Sequence, residues 1–190
     1  MNLLSIGLRN ARRRMTLMGA IVLGGLPAGQ AMSATDGALG ATSTGTVSIS
    51  ASVPARARIT GLSDVAFTNQ DPGTPAANAQ DVCVWSNTAT KAYTITATGS
   101  GTASAFTLTD GSGTVPYSVE WSDTSGSTSG TALVAGTASA AQASAATNQI
   151  CASGPAASAS LVVKMATADL GTMTGGSNYT GTLTLLVTPQ

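Results

Sequence analysis

The stretch that decides the fold is YTGTLTLLVTPQ, residues 179–190. Leu183, Leu185 and Val187 occupy every second position there. The positions between and around them are mostly threonine, namely Thr182, Thr184 and Thr188. Because successive side chains of a β-strand point to opposite faces, this period of two is typical of a half-buried strand. We therefore expect a strand here that turns its aliphatic side chains toward a core.

A second alternating run, TVSISASV, covers residues 46–53. Its apolar positions are Val47, Ile49, Ala51 and Val53, and polar residues fill the alternate positions, Thr46, Ser48, Ser50 and Ser52. Residues 34–45 before it are small, polar and without a pattern, and Pro54 interrupts it. A mobile start that leads into a strand, in a chain that closes on another strand, predicts a subunit that lends its first strand to a neighbour.

Residues 1–34 have the parts of a secretory signal peptide. The basic region contains Arg9 and residues 12–14, the apolar region is residues 15–26, and PAGQAMSA follows it. This places the cleavage site near residues 31–34. An apolar region of 12 residues is shorter than the roughly 20 needed to cross a bilayer. The sequence thus predicts export, with no integral membrane segment after cleavage, and a retained membrane anchor is the alternative.

The charge of the chain changes when the predicted signal peptide is removed. The full sequence has eight basic and eight acidic residues. Four of the basic residues lie in the signal peptide, so four remain against eight acidic residues, a net charge of −4. No basic stripe is present, which argues against nucleic acid as a partner.

Cys83 and Cys151 are the only cysteines of the sequence. In an exported protein a single pair predicts a disulfide bond. A loop of about 70 residues closed in this way would stabilise the fold by roughly 4 kcal/mol. The alternatives are a zinc site and a redox pair. The sequence has no histidine to complete the usual zinc ligands, and the spacing is not that of a C-x-x-C redox motif.

Short alternating runs separated by turn residues, without a sustained helical period, predict an all-β antiparallel sandwich. Residues 68–81 contain Pro72 and Pro75 and predict a long loop. Pro116 indicates an edge strand. We expect strands at residues 46–53, 55–60, 64–67, 82–86, 92–99, 106–109, 115–121, 131–134, 159–165 and 179–187.

The sequence offers no catalytic constellation. Without histidine there is no Ser-His-Asp or Cys-His arrangement, and the carboxylates are scattered beside turn residues. We predict a protein that is not an enzyme and uses no cofactor or metal. The seven aromatic residues lie in or beside the predicted strands, where core packing explains them. An exposed sugar-stacking platform is the alternative, and it would make the protein a self-contained secreted β-sandwich that acts as an adhesin or carbohydrate-binding domain.

Two stretches carry a resemblance to a known family. They are GTVSISASVPARARITGL, residues 45–62, and GSNYTGTLTLLV, residues 176–187. With the predicted signal peptide and cysteine pair, they make the chain similar to chaperone–usher pilins of the archaic and alternative branches, including the spore coat protein U type. Many such subunits carry a cysteine soon after the donor strand, whereas residues 54–82 have none. This departure concerns the subfamily rather than the architecture.

The resemblance implies an immunoglobulin-like sandwich that lacks one strand. A periplasmic chaperone fills the gap first, and at an outer-membrane usher the N-terminal strand of the next subunit replaces it. The chain would then comprise a signal peptide (1–34), a donor segment (35–53) and a pilin domain (54–190). Donor positions would be Val47, Ile49, Ala51 and Val53, and Leu183, Leu185 and Val187 would line the acceptor groove. The product would be a surface fimbria that supports adhesion or biofilm formation.

Overall fold

The computed structural model describes residues 34–190. The predicted signal peptide lies outside these residues apart from Ala34. Contacts divide the chain into an N-terminal unit that ends at Ala51 and a second unit from Ser52 to Gln190. Each unit is described separately below.

The described part of the N-terminal unit contains a single antiparallel bridge. The N–H of Thr35 donates to the carbonyl of Thr46, and the N–H of Thr46 donates to the carbonyl of Thr35, both at 2.9 Å. Residues 47–53 form no strand within this chain, and their pairing with a neighbouring subunit stays a prediction. An extended segment needs a neighbouring strand, because the N–H and C=O groups of a strand form hydrogen bonds with an adjacent strand and not within the segment itself.

The second unit contains ten strands, two short helical turns and no long helix. In chain order the strands are β1 (Ala57–Thr60), β2 (Ala76–Ser86), β3 (Ala92–Gly99), β4 (Thr107–Thr109), β5 (Thr114–Pro116), β6 (Ser118–Ser122), β7 (Thr131–Ala132), β8 (Gln142–Ala143), β9 (Ala159–Met165) and β10 (Leu183–Pro189). The helical turns are a 3₁₀ turn at Thr102–Ser104 and α1 at Thr167–Leu170.

The strands form three antiparallel sheets. The largest has the order β1-β2-β9-β6-β7, the second has the order β10-β3-β8, and β4 pairs with β5. Strand β2 pairs with β9 through Ala76–Val82 and with β1 through Cys83–Ser86. None of the sheets closes on itself, so β1 and β10 are edge strands among the described residues.

The core lies between the sheets and follows the predicted alternation. On β3 the inward residues Tyr93, Ile95 and Ala97 are fully buried. The other inward positions, also buried, are Val115, Tyr117, Val119, Trp121, Ala159, Leu161, Val163 and Met165. Burying these side chains from both layers removes their apolar surface from water, which is the main stabilising contribution of such a sandwich. The fold is therefore the predicted all-β, antiparallel, immunoglobulin-like sandwich.

Several predicted boundaries need correction. Residues 64–67 form no strand, and the predicted loop at 68–81 is shorter because β2 already begins at Ala76. The predicted strand at 115–121 is split into β5 and β6. Pro116 ends β5 in the two-stranded sheet, in agreement with an edge position, but β6 lies inside the largest sheet between β9 and β7. Strand β8 and the two helical turns were not predicted.

The disulfide prediction is confirmed. The sulfur atoms of Cys83 and Cys151 are bonded at 2.02 Å, and the described residues contain no free cysteine. The bond joins β2 to the long connection between β8 and β9. Around it lies a small second cluster, formed by Ala146 with the partly buried ring of Trp85.

Candidate functional site: the groove between the edge strands

A groove opens between β10 and the segment that follows β1. One wall is formed by Leu62, Val65 and Phe67, and the opposite wall by Leu183 and Leu185. Side chains of the core form the floor, namely Tyr117, Leu161 and Val163. The cavity has a volume of about 580 Å³. The groove thus exposes the interior of the sandwich along its open side.

A second cavity of about 590 Å³ continues the first. Both are lined by Val65, Phe67, Leu108 and Gly181. The far end of the second cavity is lined by Met165, Leu170, Met173 and Tyr179. Because the two cavities share four residues, they form one elongated groove and not two separate pockets.

The outer edge of β10 has unpaired main-chain groups. The carbonyls of Ile95 and Ala97 accept hydrogen bonds from Ser139 and Gly136, so these residues turn their main-chain groups away from β10. They lie opposite Val187 and Leu185 in the register of β3 and β10. In an antiparallel pair such positions are the non-hydrogen-bonded ones. The N–H and C=O groups of Leu185 and Val187 therefore point to the open edge.

The outer edge of β1 also has main-chain groups that do not pair with a neighbouring strand. The N–H of Val84 donates to Ser158 Oγ at 2.8 Å, and its carbonyl accepts from the Ser144 and Ser158 hydroxyls. Ile59 lies opposite Val84, so this pair is also non-hydrogen-bonded. The main-chain groups of Ile59 consequently face outward, while its side chain packs against the core. β1 thus has an open edge of its own, although residues 57–60 line neither cavity.

The wall that follows β1 is hydrogen-bonded to β2 through the side chain of Gln80, and Val65 and Phe67 pack against the core. The main-chain N–H of Ser63 donates to Gln80 Oε1 at 2.7 Å, and Gln80 Nε2 donates to the Ser63 carbonyl at 3.1 Å. Val65 and Phe67 are half-buried in alternation with exposed neighbours, as in a strand. Within the described chain, however, residues 64–67 have no strand partner.

The predicted acceptor residues are distributed along this site. Leu183 and Leu185 line the groove. Val187 is partly buried and packs against the core but does not line either cavity. Leu186, on the opposite face of β10, is 59% exposed. β10 therefore separates a core-facing row from an outward-facing row, as its sequence predicts.

The predicted donor residues are exposed in the isolated chain. The exposed fractions are 75% for Val47, 91% for Ile49 and 79% for Val53, and Ala51 is exposed as well. Such a series of aliphatic side chains in water is unfavourable at about 25 cal/mol per Å² of apolar surface.

The sequence analysis did not predict the groove residues that lie outside β10. Leu62, Val65, Phe67 and Leu108 line it without having been predicted as site residues. The alternation in DVAF, residues 64–67, was the available signal, since it indicated an extended segment with Val65 and Phe67 on one face. What it did not indicate was that this face borders an opening.

The groove is almost free of charge. Of the described residues that line the first cavity, Asp64 alone is charged, and none of those that line the second is. Burial raises the pKa of Tyr117, which keeps its hydroxyl neutral. Beside the second cavity the N–H groups of Gly113 and Ser112 lower the pKa of Asp110. The lining suits an uncharged, partly apolar occupant.

Residues 34–190 contain no group of three or more histidine, cysteine or acidic side chains able to hold a metal ion. All seven aromatic side chains are buried or partly buried. No observation thus favours an exposed sugar-stacking platform. The part of the chain that the structure describes also contains no helix with the length and hydrophobicity needed to cross a membrane.

Comparison with known proteins gives a limited result. No protein-family model and no curated protein matches the chain. Two chains of solved structures match it. One of these has 17% identity and a TM-score of 0.47, and belongs to a chaperone–tip adhesin complex described as vital for synergistic activation of CFA/I fimbriae biogenesis. The match covers 72% of this chain and 41% of the other, so the chain spans less than half the length of that protein.

Proposed function

We propose that the protein is a structural subunit of a surface pilus, in which each subunit is completed by the N-terminal strand of the next. The observation that carries this proposal is the groove between the open edge of β10 and residues 62–67, of which residues 64–67 have no strand partner. An exposed strand edge beside an apolar cleft promotes aggregation unless another segment covers it. A strand added at that edge satisfies both its main-chain groups and the pockets, which is the β-augmentation mode of binding.

The segment from Val47 to Val53 has the chemistry that this groove requires. It is uncharged, it places an aliphatic residue at every second position, and its side chains are exposed. The groove in turn is lined by aliphatic and aromatic side chains with one carboxylate. Insertion into a second copy would remove both apolar surfaces from water.

Donation from one copy to the next is a head-to-tail contact, and such contacts produce open filaments when the rotation does not close. The proposal includes export through the periplasm, a periplasmic chaperone that covers the groove before assembly, and an outer-membrane usher at which the chaperone is exchanged for the donor strand. In the filament the subunit would have a non-enzymatic, structural role at the cell surface, in adhesion or biofilm formation.

The experiment that tests the proposal is unheated gel electrophoresis of the exported protein. We expect a ladder of multiples that collapses to one band on boiling, because strand exchange is not covalent. Ile49→Asp should abolish the ladder, since it would bring an unpaired charge into the groove of the next subunit. The matched control is Ser50→Asp, which places the same charge one residue away on the other face and should preserve the ladder. A native protein that is monomeric under every condition would contradict the proposal.

A further inference from the structure

The bridge between Thr35 and Thr46 closes a loop immediately before the aliphatic run. We call residues 35–46 the N-terminal loop. Both main-chain groups of Thr46 are engaged with Thr35. Residues 47–53 follow directly and form no strand. The boundary between paired and unpaired backbone therefore coincides with the first aliphatic residue, Val47.

Glycines allow the N-terminal loop to close tightly. A Cβ atom at Gly37 would lie 2.0 Å from Ser43 Oγ, 3.0 Å from the main-chain N of Thr44 and 3.1 Å from its carbonyl carbon. A Cβ at Gly45 would lie 3.1 Å from the carbonyl oxygen of Thr35. Such close approaches favour glycine, because a Cβ at Gly37 would displace the Ser43 side chain and press on the Thr44 backbone. The loop is thus a specific closed structure and not an arbitrary connection.

The aliphatic run alone specifies its register weakly. A slip of one residue would exchange the two faces of a strand, but a slip of two preserves them. In this chain a two-residue slip brings Gly45 or Ala55 into the series of Val47, Ile49, Ala51 and Val53. Because both incoming residues are small and uncharged, neither shift would be rejected by charge or bulk. Some other feature is needed to select one register.

We propose that the N-terminal loop is a register stop for the donor strand. In an extended strand, residues of the same parity direct their main-chain groups to the same side, so Thr46 shares its side with Ser48, Ser50 and Ser52. At Thr46 the main-chain N–H and C=O groups on that side are already hydrogen-bonded to Thr35. Pairing with a groove edge on this side must therefore stop at Ser48 for as long as the loop stays closed. This inference rests on the proposed function and adds what excludes the slip that would bring Gly45 into the series.

Disulfide trapping in assembled polymers tests the register directly. Outward residues on neighbouring strands have Cβ atoms about 5 Å apart when directly opposite and about 7 Å apart when displaced by two positions, and only the former suits a disulfide. Ser50→Cys is combined in turn with Thr184→Cys, Leu186→Cys and Thr188→Cys, all at exposed positions. In the otherwise native chain we expect one pair to dominate the cross-linked product by about tenfold. Adding Gly37→Val, which prevents loop closure, should bring a second pair to within about threefold of the first.

The control is Ala41→Val, which adds bulk at an exposed position of the same loop and should preserve the single register. Hydrogen exchange at the Thr46 amide shows whether Gly37→Val has opened the loop. A single register with the loop open would overturn the register stop while leaving the pilus proposal intact. Absence of any cross-link and of any polymer in the native chain would contradict the proposed function and this inference together.

Discussion

Trp121 and Tyr93 pack edge to face in the centre of the sandwich, with ring centroids 6.4 Å apart and ring planes at 84°. The indole Nε1–H of Trp121 donates to the Tyr93 hydroxyl at 3.3 Å. Trp121 belongs to β6 in the largest sheet, whereas Tyr93 belongs to β3 in the second sheet. The pair therefore joins the two layers of the core through one aromatic contact and one hydrogen bond.

Tyr93→Phe should destabilise the protein, because it leaves the buried indole N–H without its acceptor. Leaving such a donor unsatisfied costs about 1–3 kcal/mol. Urea unfolding followed by tryptophan fluorescence measures the change. Tyr117→Phe is the matched control, since no hydrogen bond of its hydroxyl is found among the described residues and its ring also lies in the core. Equal effects of the two substitutions would contradict the role of the hydrogen bond.

Alkaline pH should weaken the fold through the same tyrosine. Burial raises the pKa of Tyr93 from 10.0 to about 12. Above pH 10 the unfolded chain loses this proton while the folded chain keeps it, so the free energy of unfolding falls as pH rises toward 12. Melting temperatures between pH 9 and 12 should fall less steeply for Tyr93→Phe than for the native protein. Parallel curves for the two proteins would show that another group governs the alkaline transition.

Leu185→Asp and Leu186→Asp should differ although the residues are neighbours in β10. Leu185 lines the groove, and a charge there would oppose an apolar occupant by several kcal/mol. Leu186 is 59% exposed and should tolerate the same charge. We expect loss of polymers, and reduced periplasmic accumulation, for Leu185→Asp alone. If Leu185→Asp formed polymers to the same extent as the native protein, the core-facing residues of β10 would not be the ones that contact a donated strand.

Cys83→Ser should lower the stability by roughly 4 kcal/mol, because the bond closes a loop with a sequence separation of 68 residues in a fold with few large core side chains. Cys151→Ser should have the same effect, and so should reduction of the native protein before unfolding. The measurement is the denaturation midpoint in urea for the four samples, the untreated native protein included. A midpoint that reduction does not move would show that the bond contributes little.

The sequence predicted best those strands that alternate strictly and pair centrally. Residues 92–99 were predicted with the bounds that β3 has, and their inward residues are buried as expected. Residues 76–81 were predicted as part of a loop because Pro72 and Pro75 precede them and because Asn78 and Asp81 have low strand propensity. Pairing with β9 overrides that preference in the folded chain. Strand propensity depends on the residues of the segment itself, whereas the identity of its partner strand depends on residues far away in the sequence.

Two extended segments have strand-like alternation but no partner strand in this chain. Residues 46–53 and 64–67 have the alternation of strands, yet neither is a strand in the isolated chain. The alternation predicts which side chains become buried. It does not predict whether the strand that hydrogen-bonds to the segment belongs to the same molecule. For this reason the aliphatic residues of the site were predictable on β10, while the second wall of the groove was not.

The attachment of that second wall through Gln80 has a consequence for motion. Between Gly61 and Phe67 of the described chain, the main-chain hydrogen bonds found are the two that Ser63 makes with the Gln80 amide. A segment with few protected amides opens at low free energy, whereas β10 is held along its length by β3. We therefore expect the wall formed by residues 62–67 to yield to the bulk of an occupant more readily than β10 does. Amide exchange should be fast on the side of Val65 and slow on the β3-bonded amides of β10 until the groove is occupied.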